Sequence, residues 1–152
     1  FPVIWKDRDW DDYFIWVLLE KKLKNQANFT LKRGRHLDAV RDAERMMTCV
    51  RLIEKIRDEY YPMEYMDYHK SEIHFDPVPE RPTNKQLRIE EISENFGDYF
   101  KKYPNTYKNI IKKNGSDVSN HYVAIQIGRH NHEKAKRLLF NTLNKHIEHW
   151  WD

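Results

Sequence analysis

The chain has 152 residues, enough for one domain whose core needs no disulfide or metal. Five Trp and nine Tyr exclude a wholly disordered chain, and only four Gly and six Pro argue against an all-β protein, whose turns use those residues. The net charge of +3 is too mild to indicate a nucleic-acid partner by itself. We therefore expect a single all-α domain over residues 1–152, built as a bundle of four main helices.

The cysteine content and the apolar runs bear on the compartment. A single cysteine, Cys49, forms no disulfide within the chain and supplies no cysteine-based zinc site. The longest apolar run, residues 14–19, is far shorter than the roughly 20 residues that cross a bilayer. We therefore expect a cytosolic protein with no membrane partner, in which Cys49 packs inside a helix.

The first two predicted helices form an antiparallel hairpin. Asp9 is expected to cap the first helix, and apolar residues that nearly surround residues 14–19 predict that this helix is central. An aspartate in place of Leu18 should then unfold the domain. The second helix covers residues 36–61, and Pro62 should end it because proline lacks an amide donor. The short connection favours antiparallel pairing.

The second half of the chain is less regular. Residues 63–84 show no periodicity and contain several prolines, which predicts an extended loop or arm outside the core. A third helix is predicted over residues 85–103, and Pro104 should begin a short helix. Alternation over residues 121–128 allows one short strand, and the last helix is expected to begin near Asn131.

No motif points to catalysis. The chain lacks a dinucleotide fingerprint, a phosphate loop and a serine elbow. The eight histidines, including His146 and His149, do not reproduce a known zinc spacing. Glu90, Glu91 and Glu94 are expected on the solvent face of a helix, where nothing raises a carboxyl pKa. We therefore expect a non-enzymatic protein with no cofactor and no metal.

Basic residues concentrate in three segments, with aromatic residues among them. Residues 21–36 hold six Lys or Arg and no acid, and residues 101–113 hold five Lys and no acid. Such groups bind phosphates, and tyrosine rings stack on bases. The candidate nucleic-acid or anion-binding residues are Lys32, Arg33, Arg35, Lys101, Lys102, Lys108, Lys112, Lys113, Arg129, Lys134, Lys136 and Arg137. The alternative is that these side chains only solvate a face and the nearby tyrosines pack inward.

Three aromatic residues, Tyr103, Tyr107 and Trp151, are candidate partner anchors, because Tyr and Trp are enriched at interface hot spots. An apolar stripe along the last helix leads to Trp150. It predicts that Trp150 packs on the first helix and locks the bundle, while Trp151 lies on another face.

Four stretches together resemble a known family. They are residues 9–24 (DWDDYFIWVLLEKKLK), the helix at 47–61, residues 100–108 (FKKYPNTYK) and residues 131–152 (NHEKAKRLLFNTLNKHIEHWWD). The chain resembles small uncharacterised accessory proteins of tailed bacteriophages, and the resemblance carries no activity with it. It implies a phage accessory protein that acts in the cytoplasm of a bacterial host.

The leading hypothesis is therefore a non-enzymatic bacteriophage protein that binds and inhibits a host macromolecular complex. Its partner would be a host protein or ribonucleoprotein complex, such as a CRISPR-type or other nucleic-acid-handling defence nuclease. One alternative is direct binding of DNA or RNA, or a place in the virion. Another is a sponge that sequesters a nucleotide signal. The sequence indicates no oligomeric state.

Overall fold

A computed structural model describes residues 12–34, 37–79 and 81–150 of the chain. Within these ranges the protein is mostly helical and contains one two-stranded antiparallel sheet. The chain divides into two compact units. We call Phe1–Tyr60 with His132–Asp152 the helical unit, and Tyr61–Asn131 the hairpin unit.

The helical unit pairs two long helices. Its described elements are α1 (Asp12–Arg33), α2 (Ala39–Arg57), the last part of α6 (Asn120–His146) and a 3-10 turn (Glu148–Trp150). Lys24 Nζ on α1 lies 2.8 Å from Glu54 Oε1 on α2, and Arg57 pairs with Glu20. Because the later residue of α1 meets the earlier residue of α2, the helices run antiparallel, and the predicted helical hairpin is confirmed.

The first helix buries one side only. Trp16, Leu23 and Ala27 are buried, whereas Ile15 is 62 % and Leu18 is 44 % exposed. The prediction of a central helix is therefore wrong for the described part of α1, because its apolar residues outnumber the positions that face the core. The reason for expecting an aspartate at position 18 to unfold the domain is removed as well. The predicted cap, Asp9, lies outside the described residues.

The second helix ends earlier than predicted. It stops at Arg57, and Glu59 adopts a left-handed backbone conformation with φ of 49°. Pro62 does not end it but lies in the short helix α3 (Tyr60–Met63). Proline is tolerated there because the first turn of a helix has no acceptor for the missing N–H.

The hairpin unit combines a β-hairpin with short helices. After a 3-10 turn (Glu64–Tyr68), its elements are β1 (His69–Val78), β2 (Arg81–Glu94), α4 (Phe96–Lys102), α5 (Pro104–Asn114) and the first part of α6. Pro104 begins α5 as predicted, and Gly115 ends it with φ of 89°. The core of this unit comprises Phe96, Tyr99, Val123, Ala124 and Ile127.

The all-α prediction is wrong because His69–Val78 and Arg81–Glu94 form two strands. The segment predicted as an extended loop or arm over residues 63–84 is not a loop, since most of its described residues form a 3-10 turn, β1 and the beginning of β2. The predicted helix over residues 85–103 shrinks to α4. Cross-strand pairing decides the outcome, because residues 86–90 alternate polar and apolar opposite the equally alternating residues 72–76 of β1.

The predicted strand over residues 121–128 is helical, and the last helix begins at Asn120 instead of near Asn131. Val123, Ala124 and Ile127 are buried at a spacing of three and four residues. That spacing is typical of one helix face, and it overrides the alternation in the sequence. Among the described helices, none has both the length and the apolarity that crossing a membrane needs.

Candidate functional site

The hairpin sorts its side chains onto two unlike faces. Side chains alternate along a strand, and the register sets Ile73 opposite Ile89 and Phe75 opposite Leu87. We call these four residues the apolar face. The intervening residues form the charged face, which comprises Glu72, His74, Asp76, Arg88 and Glu90.

The apolar face is open to solvent. Ile73, Phe75, Leu87 and Ile89 are 61, 63, 54 and 58 % exposed, respectively. Fully burying one such side chain stabilises a protein by about 1.5–3 kcal/mol, so covering four half-exposed ones contributes about 4 kcal/mol in total. A contiguous exposed apolar patch is a candidate interaction surface.

The charged face pairs its arginine within the hairpin but leaves the buried Nε2 of His74 without a hydrogen bond to a described residue. Arg88 donates from Nε to Asp76 Oδ2 at 2.8 Å and from Nη1 to Glu90 Oε2 at 3.0 Å. His74 Nε2 lies 3.6 Å from Glu72 Oε2 and 3.7 Å from Glu90 Oε2. The bond to Asp76 raises the pKa of Arg88, so its charge is fixed. The charged groups of this face therefore pair mostly with one another, whereas the side chains of the apolar face are exposed to solvent.

An aromatic cluster anchors the base of the hairpin. The ring of His69 stacks on Phe96 at 5.6 Å, and His121 meets His69 edge-on at 5.4 Å. The amide N–H of Asn95 donates to the carbonyl of Tyr68 at 2.9 Å. These contacts hold the strands against α4 and α6, which a two-stranded sheet needs because it is marginal alone.

A cavity of about 380 Å³ opens beside this base, lined by Met66, His69, Ser71, Ile89 and His121. Ile89 belongs to both the cavity and the apolar face. The open apolar surface therefore extends from the middle of the strands to the base of the hairpin.

The two tyrosines predicted as anchors pack against the core of the hairpin unit. The hydroxyl of Tyr103 donates to Glu64 Oε2 at 2.6 Å, and Lys102 pairs with the same buried carboxylate. The ring of Tyr107 stacks on Phe100 at 4.7 Å. Both rings are half-buried, which matches the inward-packing alternative. That they anchor a partner stays a prediction.

The basic candidates of the hairpin unit fall into two groups. Lys101 and Lys102 are engaged, the first by Asp98 Oδ1 at 2.8 Å and the second by Glu64. The others are exposed and form no ion pair with a described residue; they are Lys108, Lys112 and Lys113 on α5 and Arg129 on α6.

The remaining basic candidates belong to the helical unit. Lys32 and Arg33 end α1, and Arg33 Cζ lies 4.5 Å from the centre of the Phe29 ring. Lys134, Lys136 and Arg137 lie on α6, where Lys136 Nζ is 3.4 Å from Glu133 Oε1. Arg35 and Trp151 lie outside the described residues. The three basic segments are thus divided between the two units.

The thiol of Cys49 and the histidine side chains are the groups that could act as a nucleophile or as metal ligands. Cys49 is fully buried, which confirms its packing role, and burial raises the pKa of its thiol to about 11. Burial lowers the pKa of His146, whose ring stacks on Trp150 at 6.3 Å. Over the described ranges, no group of three or more His, Cys, Asp and Glu side chains could hold a metal ion.

Trp150 contacts the first helix as expected. It is buried, and its carbonyl accepts a hydrogen bond from Gln26 Nε2 at 2.8 Å. Gln26 lies on α1, so this contact ties the C-terminal turn to the first helix. Whether it locks the whole unit stays a prediction.

The apolar face is the feature that the sequence analysis missed. Its signal was the matched alternation in residues 72–76 and 86–90, which is visible only when the two segments are aligned antiparallel. No protein-family model, curated protein or solved structure matches this chain.

Proposed function

We propose that the chain is a non-enzymatic accessory protein of a tailed bacteriophage that docks through its apolar face on a host protein complex in the bacterial cytoplasm. The resemblance supports the origin. The observation that carries the docking is the exposure of four paired apolar side chains on one side of the hairpin. The complex we propose it inhibits is a CRISPR-type or other nucleic-acid-handling defence nuclease.

The shape of the apolar face favours an amphipathic helix as the docked element. Its two cross-strand pairs repeat about every 7 Å along the strands, since each residue rises about 3.3 Å. Helix residues four apart lie about 6 Å from each other, so successive turns of a helix match successive pairs. Toward the hairpin tip, Lys85 lies opposite Pro77 and forms no ion pair with a described residue. It suits an acidic residue on the docked helix.

The proposal is tested by capture from extracts of the bacterial host with matched variants. Phe75→Thr/Leu87→Thr removes half of the apolar face while keeping residues that favour strands. Asp76→Asn/Glu90→Gln alters the charged face of the same hairpin. We expect a host protein captured by the wild type and the charged-face variant and lost with the apolar-face variant.

Circular dichroism spectra of all three proteins control for folding, and they should agree because the substituted side chains are exposed or half-buried. Capture that the apolar-face variant retains would contradict the proposal. Equal loss with both variants would contradict it too. Docking would then depend on the hairpin as a whole and not on its apolar face in particular.

Direct nucleic-acid binding is the second candidate. Lys108, Lys112 and Lys113 are exposed on α5 without an ion pair to a described residue. Binding through them should weaken steeply with salt, because phosphate contacts release counterions. An electrophoretic shift of labelled DNA and RNA that disappears in Lys108→Ala/Lys112→Ala/Lys113→Ala supports this candidate. No shift at low salt removes it.

A further inference from the structure

The outer edge of β1 is a second surface that the proposed function does not use. The sheet has the order β1–β2, so one backbone edge of β1 has no strand beside it within the described residues. Five of the seven residues from 70 to 76 are exposed, and the other two are half-buried. A strand edge with unpaired backbone groups is a template for another strand.

We infer that this edge pairs antiparallel with the same edge of a second copy, about a two-fold axis through Ile73. In that register Lys70 lies opposite the partner's Asp76, and Glu72 lies opposite the partner's His74. Both contacts occur twice because the axis repeats them. Ile73 lies opposite itself, so the apolar residues of both copies share one side of the new sheet.

Neighbouring registers are worse. Moving the axis one residue back sets Glu72 opposite Glu72, and moving it one residue forward sets Glu72 opposite Asp76. Like charges directly opposite each other destabilise a strand pair. An axis between two residues would place charged side chains of one copy beside apolar side chains of the other. Pro77, which lacks a backbone donor, falls outside the paired residues 70–76.

Lys70 is available for this contact, since it is exposed and forms no ion pair with a described residue. Asp76 is half-buried and accepts from Arg88 across the hairpin, and a carboxylate has room for a second donor. The pairing would yield a four-stranded sheet whose apolar side holds two apolar faces. The inference does not depend on a host partner, and it goes beyond the proposed function.

Charge reversal at the two ends of the register tests it. Lys70→Glu sets acid opposite acid in both copies, and Asp76→Lys sets base opposite base. Sedimentation velocity should show a wild-type dimer, with the dimer dissociation constant raised about 10- to 50-fold in each variant. An equimolar mixture of the two variants should recover the dimer, because each variant then faces its complement twice. Native mass spectrometry should show that this dimer contains one chain of each.

Lys85→Glu, on β2, is the matched control and should leave the dimer unchanged. Asp76→Lys also removes the hydrogen bond between Arg88 and Asp76, which could loosen the hairpin by itself. A mixture of Glu72→Lys and His74→Glu is therefore a second complementary pair, and it leaves that hydrogen bond intact. A wild-type chain that stays monomeric at about millimolar concentration would overturn the inference. So would a dimer that persists in both single variants, because the interface would then lie elsewhere. Neither result depends on host capture, so this inference and the proposed function fail separately.

Discussion

Gly128 illustrates how one residue constrains the hairpin unit. It lies on α6 at the point where that helix approaches the backbone of Tyr61 and Pro62. A Cβ added to Gly128 would lie 2.7 Å from the Tyr61 carbonyl oxygen and 3.2 Å from Pro62 Cα. Backbone atoms cannot move aside as a flexible side chain can. Only glycine permits this close approach.

Gly128→Ala should therefore destabilise the protein by up to about 2 kcal/mol, because an overpacking cost of up to about 3 kcal/mol exceeds the gain of about 1 kcal/mol in helix propensity. Gly97→Ala, in α4, is the control, since a Cβ there meets nothing within 4 Å. It should be neutral or stabilising. Urea unfolding followed by circular dichroism measures both, and equal effects of the two substitutions would contradict the close approach.

Cys49 gives the core of the helical unit a pH dependence. Burial raises the pKa of its thiol from 9.0 to about 11. Between these values the folded state keeps a proton that the unfolded state releases, so the contribution of Cys49 to stability is complete below about pH 9 and decreases as pH rises. The loss reaches about 1 kcal/mol near pH 10.

Cys49→Ala removes this dependence. The free energy of unfolding of the wild type should therefore exceed that of the variant by less at pH 10 than at pH 8. Urea titrations at the two pH values measure the difference. A constant difference would show that the thiol titrates at its ordinary pKa and would contradict the rise that burial causes.

At the scale of elements, the one-sided burial of α1 makes two leucines unequal. Leu23 is fully buried and Leu18 is 44 % exposed, although both belong to the same apolar stretch. Leu23→Asp should cost several kcal/mol and unfold the helical unit, because it buries an unpaired carboxylate. Leu18→Asp should cost less than about 1 kcal/mol. Thermal melts compare them directly, and comparable losses of stability would show that both sides of α1 are packed.

The elements that could be predicted are those that local sequence determines. Periodicity and turn chemistry in neighbouring residues predict the α1–α2 hairpin, the start of α5 at Pro104 and the burial of Cys49. The β-hairpin could not be predicted in the same way, because Ile73 and Ile89 stabilise strands only by pairing with each other. Neither segment alone separates a strand from a loop or a helix.

The candidate site was missed for a related reason. Sequence alone identified basic residues but not their partners, and the buried Glu64 that engages Lys102 is distant in the chain. Exposure is also a tertiary property, so a pattern of apolar residues cannot distinguish the apolar face of the hairpin from the core. The exposed lysines of α5 and Arg129 on α6 are among the predicted basic residues that form no ion pair with a described residue.

At the scale of the molecule, charge is separated within the hairpin unit. Residues 69–94 contain six acidic and four basic side chains, whereas residues 95–131 contain two acidic and six basic ones. Phosphates are therefore attracted to the helices of this unit and repelled from its strands. Within this unit, the exposed lysines of α5 therefore carry much of the positive charge, and the strands carry the apolar face.

The most direct test of the docking surface is site-specific photo-crosslinking in the bacterial host. A photoreactive benzoylphenylalanine replaces Phe75 in one protein and Ile15, equally exposed but in the helical unit, in another. We expect the probe at position 75 to crosslink one host protein, at apolar residues along one side of a helix, and the probe at position 15 to yield no such product. Crosslinks at position 15 alone, or the same product from both positions, would contradict the account.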